Sequence, residues 1–420
     1  MRALALLLLP LTACSSSEPS PAAPDTGTDA AEDAPVIVPP VAELGRHTVT
    51  VVETRKVIPG PGLPAESPPR VSNNNLDVVR HDGKIYLAWR TAPDHYASDA
   101  TALYVLSSTD EKTWTYETKL TAGTDLREPR FLSFKGSLFL YLARLGTDPN
   151  KFEPQGMSYV ERTPDGTWGK LTDFHDPRYI PWRARVLGGV PYLLAYDNGG
   201  YLYRQHPGPT HVAFLTTDDG KAWRGVDLAK PIVIQGGASE TDFAFAADGT
   251  LFAVSRNEAG DPEKKVFGSW VCRAEKGALS AWSCKHDRKK YDSPLVFAHD
   301  GEIYLVGRRN LSPDGTYDRA EIDDRPFDER WFKNQVDYKT WPKRCSIWRF
   351  VQAENRIAYV TDLPSKGDTC FPAILDGAAP DEKVIYNYSS DVDGPDLSWT
   401  EGQVKPTFVY RHVVKLTPRL

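Results

Sequence analysis

The stretch ETDFAFAADGTLFAVSR, Glu240 to Arg256, reads as a β-hairpin: an apolar run, an Asp-Gly turn, and a second apolar run. The phrase recurs. LDVVRHDGKIYLAWR (76–90), PRFLSFKGSLFLYLAR (129–144), WRARVLGGVPYLLAYD (182–197) and PLVFAHDGEIYLVGR (294–308) repeat it, and CFPAILDGAAPDEKVIYNYS (370–389) is a weaker copy. The turn glycines Gly83, Gly136, Gly189, Gly249 and Gly301 are 53, 53, 60 and 52 residues apart, and the step to Gly377 is 76. After several hairpins comes a third strand and a second turn. ALYVLSSTDEKTW (102–114) and HVAFLTTDDGKAW (211–223) are the clear cases, with GMSYVERTPDGTW (156–168) and SWVCRAEKGALSAW (269–282) as degenerate ones.

Four strands in about 50 residues is the content of a propeller blade. Six copies predict an all-β, six-bladed β-propeller over residues 46–420, with an insertion at about 309–345. A solenoid of stacked repeats is the alternative; paired hairpins favour radial closure, which protects the strand edges. The strand at 47–58 is expected to close the ring by pairing with FVYRHVVKLT (408–417). The insertion, rich in charge and aromatics, is either a wall over the central opening or a surface excursion pinned by Cys345.

The chain has 420 residues and a formal net charge of −6 without a long Lys/Arg run, which argues against nucleic acid as a partner. Residues 1–13 (MRALALLLLPLTA) form a signal-like segment too short for a permanent span. With Cys14 they end in L-T-A-C, which resembles the bacterial lipobox and implies lipidation at Cys14. Ser15 follows the Cys, so a lipid-anchored position in the cell envelope, at the outer membrane, is expected. Residues 14–45 are Pro-, Ala-, Ser- and Asp-rich with little large apolar content, the composition of a tether. Four further cysteines suit disulfides in an exported protein. Cys272 and Cys284 flank one hairpin, and Cys345 with Cys370 follows by elimination. No CxxC occurs, SSDVDGPD (389–396) reads as a turn, and neither a metal nor a cofactor is expected.

TTDDGKAW (216–223) matches the Asp-box pattern Ser/Thr-x-Asp-x-Gly-x-x-Trp, with Asp218 as turn acceptor and Gly220 at positive φ. SSTDEKTW (107–114) keeps the hydroxyl and Trp114 but has Thr109 and Glu111 at the Asp and Gly places. With the six units, these motifs resemble the sialidase superfamily. The resemblance implies that the Asp boxes are structural and that chemistry sits where the innermost strands begin.

There the sequence places Asp77; Arg127, Glu128 and Arg130; Arg183; Glu240 and Asp242; and Asp292, with Arg90, Arg256 and Arg308 at the ends of the second strands. The resemblance implies that Glu240 is the family's catalytic Glu and that Arg256 is one of its carboxylate-binding arginines. It also places Asp94, in the first-blade loop, at the acid/base position. The family's first arginine is replaced by Ser72-Asn73-Asn74-Asn75-Leu76, its third by Tyr291-Asp292-Ser293, and its tyrosine nucleophile by Thr369-Cys370-Phe371. Two carboxylates across a sugar suffice for glycoside hydrolysis without that tyrosine, and Glu128, Glu240, Asp77, Asp242 and Asp292 are the supply; with Asp94 from the resemblance, Glu240, Asp94, Glu128 and Asp77 are the candidate catalytic residues. Arg256, Arg127, Arg130, Arg183, Arg90, Asp242, Asp292 and Arg308 are the candidate carbohydrate contacts, and the arginines suit an acidic glycan. A non-catalytic propeller that binds glycan or protein is the competing expectation.

Overall fold

The computed structural model describes residues 39–197 and 210–419. Six antiparallel sheets follow one another along the chain. Their innermost strands are Ser72–His81, Asp125–Phe134, Tyr179–Leu187, Ala238–Phe245, Asp292–His299 and Ala373–Asp376, which define blades I to VI. Each of the repeated phrases is the hairpin of a first and second strand, and its glycine sits in the turn, Gly249 at φ 88°. The ring closes as expected: His47–Ile58 lies antiparallel to Thr407–Pro418 as the outermost strand of blade VI. Pairing the first strand with the last removes two free edges at once.

Apolar residues on the blade faces interdigitate between neighbours. Leu87, Trp89, Leu194, Phe214 and Phe243 share one cluster, and Val306, Ile347, Ile385 and Val414 bind blade V to blade VI in another. The disulfides Cys272–Cys284 and Cys345–Cys370 are both formed. The first spans a strand pair within blade IV, and the second joins blade V to the entry of blade VI.

The Asp-box turns differ from the expected detail. Asp218 points outward, pairing with Arg224. The turn acceptor is Asp219, whose Oδ1 takes the amides of Lys221 and Ala222, each at 2.8 Å, while Thr217 closes the other side. In blade I, Asp110 takes the amides of Lys112 and Thr113 in the same way, with Ser108 in the Thr217 role. SSTDEKTW is therefore an intact box, and Glu111 adopts positive φ (58°) where blade III has Gly220. Both turns clip onto the preceding blade. Gly220 lies so close to Phe139 that a Cβ would stand 2.5 Å from its ring, and its carbonyl accepts from Tyr141. Glu111 accepts from Tyr386 and Arg411 of blade VI.

The insertion is shorter than expected, because Arg309, Asn310 and Lys343 to Cys345 belong to strands. Residues 311–342 form the excursion. Its helix α1, Phe327–Thr340, departs from the purely β reading. α1 buries Arg330, Trp331, Asn334, Gln335 and Tyr338, residues three or four apart on one face. A short helix α2, Trp399–Gln403, starts with a capping box from Ser398 and Glu401.

Candidate active site

The innermost strands of blades I to V are each interrupted at the same end. Their registers shift at Asn74/Leu76, Arg127/Arg130, Pro181/Arg183, Ala238/Thr241 and Asp292/Leu295. The residues left out of pairing include Asn75, Glu128, Trp182, Glu240 and Ser293. A bulge turns a side chain that would alternate into the sheet out of its plane. Asn75, Glu128 and Ser293 take positive φ, at 39°, 54° and 53°. Asn75, Glu128, Glu240 and Ser293 thereby line one cavity of about 320 Å3 at the start of the channel.

Arg127, Arg256, Asp292 and Arg308 also line this cavity. An alternating ion chain runs along its wall from blade IV into blade V. Glu240 meets Arg256 at 2.9 Å, Arg256 meets Glu258 at 3.1 Å, and Glu258 meets Lys290 at 2.8 Å. Lys290 then meets Asp292 at 3.3 Å, and Asp292 meets Arg308 at 3.1 Å. Burial opposes the charge on Glu258, yet Arg256 and Lys290 hold its carboxyl far below the usual range. Arg127 is paired with Asp125 at 2.6 Å. The arginines of the mouth thus already have acid partners. α1 completes the wall: Tyr338 donates to Asp292, Gln335 donates to Glu258, and Gln335 and Lys339 reach the cavity.

Glu128 and Glu240 face different surroundings. The Glu240 carboxylate takes Arg256 on one oxygen and the Ser293 amide, at 2.7 Å, on the other. Burial raises its pKa, with Arg256 pulling down and Asp292 pushing up. Glu128 Oε2 has no hydrogen-bond partner among the described residues. Burial, relieved in part by Arg130 and reinforced by Glu240, pushes Glu128 up to about 7. The Glu240 charge is met by Arg256 and the Ser293 amide, whereas burial keeps the proton on Glu128 near neutrality.

The other expected residues are placed elsewhere. Asp77, Arg183 and Asp242 sit deeper in the channel, and Asp77 and Arg183 line a separate cavity of about 650 Å3 at its far end. There Asp77 accepts the Phe131 amide of blade II, and Asp242 accepts the Val296 amide of blade V together with Arg183 and Arg185. Arg90 is fully buried against Asp125 and donates to the carbonyls of Asp94 and Tyr96. Arg130 is equally buried, its guanidinium over Phe371 and Trp182 at 4.1 and 4.7 Å, and burial, with Arg183 adding, lowers it to about 9. Asp94 turns its carboxylate back onto the Tyr96 amide, and its neighbours His95 and Tyr96 take the place at the cavity. Cys14 lies outside the described residues.

Several lining residues carried no sequence signal that singled them out: His95, Glu258, Lys290, Tyr388 and Trp399. Tyr388 comes from the second strand of blade VI and donates to Asp368 at 2.9 Å. Burial, then Asp368, raises its hydroxyl pKa far above normal. Among the described residues no group of three or more His, Cys, Asp and Glu side chains is arranged to hold a metal ion.

No family model and no curated protein sequence matches the chain. Solved structures do. A protein of unknown function from Dyadobacter fermentans is 15% identical, with 88% of this chain and 99% of that one covered and a TM-score of 0.58. Trypanosoma rangeli sialidase in complex with 2,3-difluoro-KDN is 14% identical over 82% of this chain and 53% of its own, with a TM-score of 0.52. The T. rangeli sialidase by itself gives 12% identity, 82% and 55% coverage, and a TM-score of 0.50. This chain spans about half the length of those sialidase chains. At these identities the likeness is one of fold: the chain is a divergent, sialidase-like six-bladed propeller.

Proposed function

We propose that the chain is a glycoside hydrolase whose site is the mouth lined by the bulges of blades I, II, IV and V. The observation that carries this is the unequal carboxyl pair. Glu128 is half-buried, has one carboxylate oxygen without a hydrogen-bond partner among the described residues, and holds its proton to about pH 7, while Glu240 is fixed by Arg256 and the Ser293 amide. Such a pair suits a sugar: Glu128 protonates the leaving oxygen, and Glu240 supplies negative charge to the developing oxocarbenium ion. The T. rangeli structures are of an enzyme that, in one case, holds a sialic-acid-type sugar, and this supports carbohydrate as the ligand class. The pairing of Arg127, Arg256 and Arg308 with Asp125, Glu240, Glu258 and Asp292 favours a neutral sugar unit over a carboxylated one. The L-T-A-C motif supports export with a lipid on Cys14, which holds the propeller at the outer membrane of a bacterial envelope.

A glycan-binding propeller without turnover is the second reading. What favours it is that the proton of Tyr388, a tyrosine lining the cavity, is committed to Asp368. Hydrolysis of a panel of chromogenic glycosides, sialosides and uronides included, separates the two. Turnover that disappears in Glu128→Gln and Glu240→Gln, with both variants folded, supports the hydrolase. Binding of a sugar with no turnover on any substrate establishes the second reading instead.

A further inference from the structure

We propose that His95 is the base that activates water in this mouth, with Asp368 as the residue that positions it. The inference rests on the hydrolase reading and deepens it.

His95 is held from three sides. Its amide donates to the Gln403 carbonyl at 3.1 Å, and its carbonyl accepts from Arg127 at 2.6 Å. Its ring Nδ1 lies 2.6 Å from Asp368 Oδ2, although the two residues are 273 positions apart. Asp368 is fully buried. Its second oxygen accepts from Tyr388 at 2.9 Å and from Trp399 Nε1 at 3.2 Å. Asn74 Nδ2 lies 3.3 Å from the same nitrogen, but the carboxylate is nearer, at 2.6 Å, and can only accept, so the imidazole proton belongs on Nδ1. Nε2 is then the nitrogen with a lone pair, on a side chain that lines the cavity and is 18% exposed.

The charged groups around the ring set its state. Burial holds the imidazole below its ordinary pKa; Asp368 opposes this, while Arg127 and Arg90 add to it. Asp368 itself stays ionised against burial because His95, Arg308 and the Tyr388 hydroxyl face it. A neutral imidazole oriented by an ionised carboxylate is a general base near neutral pH. Glu240 is a poorer one, since both its oxygens are occupied.

The step balances with one water. Water loses a proton to His95 Nε2 as its oxygen bonds to the anomeric carbon. The glycosidic C–O bond breaks, its electron pair stays on the leaving oxygen, and Glu128 protonates that oxygen. The proton on His95 returns to Glu128 through solvent. Attack by water opposite the leaving group inverts the anomeric centre.

The test takes the best substrate from the glycoside panel, reads the first-formed anomer by NMR, and measures His95→Ala with and without added imidazole. Inversion is expected, with kcat lowered on the order of 10²–10⁴-fold, KM within a few-fold, and partial recovery in imidazole. The acid limb of the kcat–pH profile should disappear with the ring. Asp368→Asn should lose kcat without rescue by imidazole. Retention of configuration sinks the role of His95 and leaves the hydrolase reading standing. So does an unimpaired His95→Ala, or a loss that imidazole does not repair and that comes with a lowered unfolding temperature, which marks a strap between the blade I loop and blade VI. Wild-type protein with no turnover on any glycoside overturns the hydrolase reading and the role of His95 together.

Discussion

The two ends of the central channel use the same residue types for different ends. At the far end, Asp77 and Asp242 take backbone amides from the neighbouring blades, and Arg185 returns hydrogen bonds to the carbonyls of Phe243 and Val296. Each charge there joins one inner strand to another. At the mouth, the bulges leave Glu128 Oε2 without a hydrogen-bond partner among the described residues, and the ion chain from Glu240 to Arg308 lines the cavity. Acids and arginines at strand starts are thus of two kinds. Asp77, Arg183 and Asp242, one or two residues beyond a bulge, are staples, and Glu128 and Glu240, within one, line the cavity. The larger cavity is at the stapled end, which makes size a poor guide to chemistry here.

This contrast predicts that substitutions at the two ends separate activity from stability. The largest effect belongs to the mouth: Glu240→Gln should lower kcat/KM by about 10³-fold or more, with the urea midpoint little changed. A comparable loss of stability with normal turnover per folded molecule would erase the distinction. Next is the far end. Asp242→Asn leaves Arg183 and Arg185 buried without their shared counter-charge and should cost about 4 kcal/mol in urea unfolding, while the folded fraction keeps its activity within a few-fold.

The third prediction uses Glu128 and its raised pKa. The folded protein binds this proton more tightly than the unfolded chain, so its stabilising contribution is full below the unfolded value and fades as pH rises through about 7. Wild type should therefore lose up to about 3 kcal/mol more stability than Glu128→Gln between pH 4.5 and 7.5. Parallel stability curves for the two proteins would show that Glu128 is not protonated in the fold. The smallest effect is expected at an Asp box. Asp219→Ala removes the acceptor of two turn amides and should cost about 1 kcal/mol, with turnover unchanged. The same change at Asp218, which is exposed, should be close to neutral.

Part of the site is legible in three prolines of the sequence. Pro129, Pro181 and Pro294 each stand in or beside a bulge, and a proline inside an innermost strand has no amide for the ladder. Glu128-Pro129 and Ser293-Pro294 mark the two breaks that bring Glu128 and the Ser293 amide to the cavity. Asp94 illustrates the limit of counting positions. The first-blade loop does reach the mouth, but His95 and Tyr96 line the cavity while the Asp94 carboxylate folds back onto the Tyr96 amide.

The sequence by itself determined the six-bladed ring, its closure and its two disulfides. The hairpin period, the turn glycines and the cysteine positions are local or nearly local features, and the repeat multiplies each of them. The tertiary structure alone decided which charges face open space. That depends on bulges of a single residue, and on contacts such as His95 with Asp368 and Tyr338 with Asp292, between segments 273 and 46 residues apart. No periodicity encodes such contacts. They arise because radial closure brings the start of every inner strand to one axis, where burial and neighbouring charge then set what each side chain does.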